Sequence, residues 1–283
     1  MRVLITGING FTGKYLKKEL ENHGHTVFGL QCDITDPIAV GSEIEKLKPE
    51  AVAHLASISY VAHYSINSIY QVNLIGTHNL FQALAHYAPQ VRSVLLASSA
   101  NVYGNRSQDI LTEDTAPAPL NDYAVSKYAM ELMAHLWFDQ LPVFLVRPFN
   151  YTGIGQDKKF LIPKIVTHFQ QKQSIISLGN LEVWREFGDV RVIVDAYRKL
   201  LESSPKGRTI NVCTGCTYSL FEVILICEKI TGHKISINVD PGMMRLNEVR
   251  VLRGDNSCLK SLIGDLEAYG LEDTLRWMMQ KIL

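Results

Sequence analysis

Short apolar runs alternate with amphipathic stretches along the first half of the chain, and no other feature of the sequence restricts the fold as tightly. The runs are "RVLIT" (2–6), "TVFGL" (26–30), "AVAHLA" (51–56), "SVLLAS" (93–98) and "VFLVRP" (143–148). Helical spacing falls between them, at Phe11–His23, Pro37–Lys48, a long stretch near Ile66–Ala88, and Tyr123–Gln140. Strands that are apolar on both faces belong to a parallel sheet covered by helices on each side. Right-handed crossovers then predict a doubly wound α/β arrangement. After about residue 150 the texture changes: Gly and Pro interrupt "FNYTGIGQ", "SLGNLEVWREFGD" and "DPGMMRLNEV". The helices expected there are Val190–Glu202, Leu220–Thr231 and Glu272–Ile282. We expect a large domain at 1–150 and a smaller α+β domain at 151–283 closing over the sheet's carboxyl edge. Residues 185–208 or so should interleave with the first domain.

A chain of 283 residues, 47% hydrophobic and 20% charged, suits a globular protein with a substantial core. Lys+Arg and Asp+Glu are both 28, which argues against a broadly basic nucleic-acid binder. No apolar run is long enough to span a bilayer, and "MRVLITG" reads as a strand, not a secretory leader, so no membrane partner is expected. Five scattered cysteines fit reduced thiols in the cytoplasm better than a disulfide framework. Cys213 and Cys216 form a C-x-x-C with no further ligands at zinc spacing, and the histidines show no metal spacing, so no metal is expected. His54, at a strand end, reads as a hydrogen-bonded core histidine.

"ITGINGFTGKYL" places Gly7, Gly10 and Gly13 in the spacing G-x-x-G-x-x-G between the first strand and the first helix. Glycine permits a tight turn and lets backbone approach a pyrophosphate, while the helix offers unpaired N–H groups to the anion. This is the Rossmann arrangement for NADH or NADPH, with Asn9, Phe11 and Thr12 in the same loop. No acid ends the second strand to hold an adenosine ribose, and no arginine waits there for a 2′-phosphate. Gln31 is nearest; Asp33 and Ile34 follow and can approach the adenine. The choice between the two cofactors stays open.

"NDYAVSKYAME" (121–131) sets Tyr123 four residues before Lys127, on one face of a helix. By itself such a pair is common helix surface. Together with the glycine loop, Ser99 in "LASSANVYG", "HLAS" (54–57), "NLIGTHNL" (73–80) and "RPFNYTG" (147–153), it resembles the extended short-chain dehydrogenase/reductases. The resemblance covers essentially the whole chain, and it implies Leu55 and Ala56, within "HLAS", on the cofactor side. Its C-terminal half is similar to the GDP-sugar branch, above all the reductases of GDP-4-keto-6-deoxy-D-mannose. It implies Ser99, Tyr123 and Lys127 as the catalytic set: a proton donor, its activating cation and a carbonyl-binding hydroxyl. It also implies a GDP-linked 4-keto-6-deoxy sugar, hexose or heptose, as substrate. For the diphosphate the candidates are Arg185, Arg245 and, more weakly, Lys164, each set against the alternative of a solvated cation. Asn150 would contact the sugar, and Glu248 the guanosine ribose. Tyr103 would line the sugar pocket or simply pack. The family implies a homodimer through a four-helix bundle built from Ile66–Ala88 and Tyr123–Gln140. Ala100 and Asn101 after Ser99 offer no acid or base, which disfavours a 4,6-dehydratase. A 4-epimerase uses the same Tyr/Lys pair and remains the alternative; a non-catalytic dinucleotide sensor would have no need of the pair.

Overall fold

The computed structural model describes residues 1–59, 65–106, 109–243, 249–267 and 269–280. Six parallel strands form the central sheet in the order β10-β5-β4-β3-β1-β2. These are β1 (Arg2–Thr6), β2 (Thr26–Gly29), β3 (Ala51–His54), β4 (Ser93–Ala97), β5 (Val143–Pro148) and, much later in the chain, β10 (Thr209–Val212). The doubly wound fold expected from the apolar runs is therefore the fold the chain adopts. Register aligns Thr6 with His54, His54 with Leu96, and Ala97 with Val146, so the strands end together at one carboxyl edge. In such sheets, ligands bind outside that edge, where the strand order reverses.

Helices cover both faces. On one side α1 (Phe11–Asn22), α7 (Val190–Ser203) and α9 (Ser257–Ile263) bury Leu16, Leu20, Ile193, Tyr197, Leu201 and Leu259 against Val3, Ile5, Leu95 and Phe144. On the other, α2 (Pro37–Leu47), α4 (Thr77–Tyr87) and α5 (Asp122–His135) bury Val40, Ile44, Phe81, Leu84 and Met130 against Leu4, Val52, Val94 and Leu145. A third cluster joins α6 (Leu161–Gln170), α8 (Leu220–Thr231) and α10 (Leu271–Met279) beyond the carboxyl edge. Around it run short strands: β6 (Tyr151–Thr152), β7 (Ile175–Leu178), β8 (Trp184–Arg185), β9 (Gly188–Asp189), β11 (Tyr218–Ser219), β12 (Ser236–Val239) and β13 (Val251–Leu252).

The structure departs from the periodicity in three places. The long helix expected at Ile66–Ala88 is broken: α3 (Ile66–Tyr70) passes through a π-helical turn, Gln71–Gly76, into α4. That turn brings Gly76 so close to Ile34 that a Cβ on Gly76 would lie 2.6 Å from the Ile34 Cγ2. Helix α5 stops at His135, short of Gln140. Helix α6 was concealed by Pro163, which falls in the first turn, where the missing N–H costs nothing.

Candidate active site

Three strand ends build the site. At the end of β1, Gly7 takes a positive φ of 73°, and a Cβ there would meet the Ala56 amide nitrogen at 2.9 Å. Only glycine turns the chain this close to the β3 loop. The Gly10 N–H donates to the Gly7 carbonyl at 2.9 Å, and helix α1 starts at once with no side chain capping its first N–H groups. The loop is a backbone-walled cradle facing a helix N-terminus, so the residues fit a dinucleotide pyrophosphate. Phe11 and Thr12 open that helix, Asn9 is exposed on the loop, and Leu55 and Ala56 line the neighbouring turn half-buried. Asp33 is exposed, and its carboxylate accepts bonds from the Thr35 N–H (2.9 Å) and hydroxyl (2.8 Å), which hold it below the usual carboxylate range. Ile34 is buried.

At the end of β3, His54 is buried and bridges two threonines: Thr6 Oγ1 at 2.6 Å and Thr77 Oγ1 at 2.8 Å. The single Thr77 hydroxyl proton goes to the Asn73 carbonyl at 2.7 Å, so His54 Nε2–H must donate to Thr77, and Nδ1 accepts from Thr6. Burial, with the Lys127 cation second, pushes this imidazole down to about 3. His54 is a neutral core histidine. The π turn presents the Asn73 amide to the same junction. Its Oδ1 accepts from Ser57 Oγ (3.0 Å) and Ile58 N–H (2.9 Å), and its Nδ2 donates to Ile58 O (3.3 Å) and Ser126 Oγ (3.0 Å). Every hydrogen-bonding position of that amide is used, which ties the β3 loop to α5.

At the end of β4, the chain meets α5. Ser99 hydrogen-bonds the Tyr123 phenol and also caps the short 3-10 turn at Ala100–Tyr103, accepting from Asn101 N–H at 3.2 Å. Lys127 is buried and donates to the Ala97 carbonyl at 2.7 Å. Burial raises the Tyr123 phenol to about 12, with the Ser99 bond working against it and Tyr151 with it. Burial lowers Lys127 to about 7, with Glu131 working against it. The sequence reading expects the ammonium to lower the phenol; in the structure burial is the largest influence on the phenol, Lys127 is not among the groups that shift it, and the lysine donates to Ala97 instead. The phenol is consequently a fully protonated acid at neutral pH, beside a lysine near its titration midpoint.

The sequence's substrate candidates separate. Asn150, half-buried just past β5, accepts a bond from Gly188 N–H through its carbonyl at 2.9 Å. Arg185 donates to the carbonyls of Trp184 (2.9 Å) and Arg250 (3.2 Å), and Lys164 donates to Ser177 O at 2.7 Å. Arg245 and Glu248 lie outside the described residues. Tyr103 takes the packing alternative. It is completely buried, donates to Asn211 Oδ1 at 2.7 Å and accepts from Arg147 at 3.0 Å, so it is interior structure and not a wall of the sugar pocket. A strand-end aromatic whose hydroxyl finds two interior partners has no reason to face solvent.

Several residues escaped the sequence reading. Tyr151 bonds the Thr12 hydroxyl at 2.7 Å and stacks on Phe11 at 6.1 Å, fastening the cofactor loop to the second half of the chain. Glu186, buried, accepts from the Thr214 N–H (2.6 Å) and hydroxyl (2.9 Å), Gly215 N–H (3.1 Å) and Gly254 N–H (2.7 Å). Glu131 and Arg147 form a buried bidentate pair at 3.0 and 2.6 Å. A signal for the last was present: Arg147 is the one charge in "VFLVRP", and a charge inside an apolar strand demands a buried partner.

A glycine cradle at the first strand–helix junction, with a Ser–Tyr–Lys set at the same sheet edge, defines a dinucleotide-dependent enzyme. Residues 3–213 match the NAD dependent epimerase/dehydratase family, and the chain belongs to that family. It is 36% identical to GDP-6-deoxy-D-talose 4-dehydrogenase of Aggregatibacter actinomycetemcomitans over 272 residues, covering 94% of this chain and 92% of that one. It is 33% identical to GDP-6-deoxy-D-mannose reductase of Pseudomonas aeruginosa over 291 residues, covering 97% and 95%. The solved structure of RMD from Pseudomonas aeruginosa, complexed with NADPH, superposes with a TM-score of 0.90 at 31% identity, over 99% of this chain and 97% of that one.

Proposed function

We propose that the chain is an NAD(P)H-dependent 4-ketoreductase acting on a GDP-linked 4-keto-6-deoxy sugar, hexose or heptose, in deoxysugar biosynthesis. The observation that carries this reading is the Tyr123 phenol, protonated at neutral pH and hydrogen-bonded by Ser99 at the sheet edge. Reducing a ketone needs a proton as well as a hydride, and a phenol held at about 12 keeps its proton until an alkoxide forms beside it. When bound, the reduced nicotinamide supplies the hydride. Ser99 binds the C4 oxygen and steadies its growing charge, Tyr123 protonates it, and Lys127 sets the local positive potential and would hold the nicotinamide ribose. Gly7, Asn9, Gly10, Phe11, Thr12, Gly13, Asp33, Ile34, Leu55 and Ala56 would surround the dinucleotide. Asn150, Lys164, Arg185, Arg245 and Glu248 would serve the sugar nucleotide.

The printed names of the two relatives favour a GDP-6-deoxy sugar. Ala100 and Asn101, which follow Ser99 in the 3-10 turn, are neither acid nor base, and this favours reduction over dehydration. In this reading residues 1–150 hold the cofactor and 151–283 mainly the sugar nucleotide, with 185–208 shared. A homodimer through a four-helix bundle is supported by apolar side chains that the monomer leaves outside: Ile66 (53% exposed), Leu132 (50%) and Leu136 (77%). A cytoplasmic location is supported by five free cysteines. The test is to incubate the protein with freshly made GDP-4-keto-6-deoxymannose and each reduced nicotinamide, and to identify the product by NMR. One nicotinamide oxidised per sugar is expected; turnover with no net loss of reduced nicotinamide would make the chain an epimerase instead.

A further inference from the structure

Residues spaced four apart on α5 meet consecutive residues at the end of β4. Tyr123 meets the Ser99 hydroxyl, Lys127 the Ala97 carbonyl, and Glu131 the Ser98 hydroxyl. The first two contacts belong to the catalytic set; the third has no assigned purpose. Glu131 is 1% exposed and Ser98 3% exposed, so both are sealed from water. The Ser98 backbone N–H is held separately by Val146 O at 2.8 Å, so its side chain is free to orient toward the carboxylate. Arg147 closes the other side of Glu131 through two bonds, then donates to Tyr103, whose hydroxyl donates to Asn211 on β10. This polar line runs beneath the site, from α5 through β5 to the last strand of the sheet.

We propose that Glu131 is a positioning residue for the reaction: pinned between Ser98 and Arg147, it favours the charged form of Lys127 and fixes the strand end that presents Ser99. The inference rests on the reading of Lys127 as the active-site cation. A bland alternative is that the pair merely satisfies a buried arginine. That alternative explains the bidentate bonds but not the placement of the carboxylate one helical turn below the lysine, on the same stripe. Burial alone drives a lysine toward neutrality, and an ammonium with a single carbonyl for a partner needs a nearby anion to stay charged. The charged and titratable groups facing Lys127 among the described residues are Glu131 and Tyr123 from α5, His54 from β3, and Arg147 from β5 through the carboxylate. His54 stays neutral and Tyr123 protonated, so the balance at Lys127 is set by Glu131 and by how far Arg147 compensates it.

The two partners of the ion pair should therefore act in opposite directions, which a purely structural pair would not. The experiment is an NMR titration of the ligand-free protein carrying 13C-labelled lysine, with the Lys127 signal assigned by its absence from Lys127→Met. In Glu131→Gln, which keeps hydrogen-bonding capacity and loses charge, the Lys127 midpoint should fall by ~1 pH unit. In Arg147→Met, which leaves the carboxylate uncompensated, it should rise. Ser98→Ala removes one neutral donor from the carboxylate and is the gentler substitute if Arg147→Met does not fold; its midpoint should also rise. The alkaline limb of kcat against pH should follow the same order. Midpoints that stay put in all variants, or that all move the same way, overturn the proposal. Lys127→Met tests the underlying reading separately: normal turnover there would remove the lysine from the reaction while leaving the titration result standing.

Discussion

Replacing Gly13 by alanine is the sharpest probe of the cofactor cradle. A Cβ at this position would lie 2.7 Å from Ile8 Cα and 2.8 Å from the Ile8 carbonyl carbon, and closer still to the Gly7 carbonyl oxygen. All three are backbone atoms, so no rotamer change can relieve the clash; the Gly7–Ile8 turn itself must move. Overpacking of this kind costs about 1–3 kcal/mol. If the turn yields, the cost is carried into cofactor binding, where it corresponds to ~5- to ~150-fold in Kd. Gly10 supplies the contrast. Its φ is −71°, and a Cβ there would meet only the Gly7 carbonyl oxygen at 3.1 Å. Gly10→Ala should therefore cost little stability, and because this backbone faces the pyrophosphate, the affinity it loses reports a Cβ against the bound cofactor. Gly24 supplies a second control: its φ of 78° strains any other residue, yet nothing lies within 4 Å. Gly24→Ala should cost ~1–2 kcal/mol of stability and leave binding alone. NADPH fluorescence titration beside thermal melting reads both quantities. Wild-type affinity in both Gly13→Ala and Gly10→Ala would show that the loop does not receive the pyrophosphate in this way.

Other consequences follow from the same geometry. Tyr123→Phe should keep the wild-type Kd for NADPH while turnover drops by ~10²–10⁴-fold, measured by stopped assays of sugar product. His54 is held at about 3 against an ordinary value of 6.5, so between those limits the unfolded chain binds the proton and the folded chain does not. Stability at this residue is therefore intact above 6.5 and is lost as pH falls toward 3, at up to roughly 1.4 kcal/mol per pH unit. Urea midpoints at neutral and acid pH should show a shallower acid loss in His54→Gln; an unchanged slope would exclude the histidine as its source. The proposed homodimer predicts that the protein is dimeric by light scattering and that Leu132→Glu with Leu136→Glu, on the exposed apolar face of α5, makes it monomeric. A double variant that stays dimeric would put the interface elsewhere.

The sheet was readable because β1, β3, β4 and β5 are buried on both faces, leaving an unbroken apolar signal. Strand β10 carries only four residues, "TINV", after a Pro–Lys–Gly turn, and its place beside β5 is set by a crossover too long for local pattern to register. The Tyr123/Lys127 spacing was visible because a helix repeats nearly every four residues. Their environment was not, since a pKa depends on what other strands bring near: Ser99 for the phenol, Ala97 and Glu131 for the amine. Tyr103 shows the same limit. Its chain position beside Ser99 left a pocket wall and packing both open, and Asn211, more than a hundred residues away, sets its direction.

The π turn at Gln71–Gly76 carries a consequence for how this chain can change over time. A π turn holds one residue more than an α turn, so deleting one residue there would let the segment close into ordinary α-helix and remove the bulge that aims Asn73. Asn73 would then point away from Ser57 and Ser126. Point changes on the outward face of this segment should be harmless, whereas any gain or loss of length should be ruinous, making its residue count a stricter inheritance than its spelling.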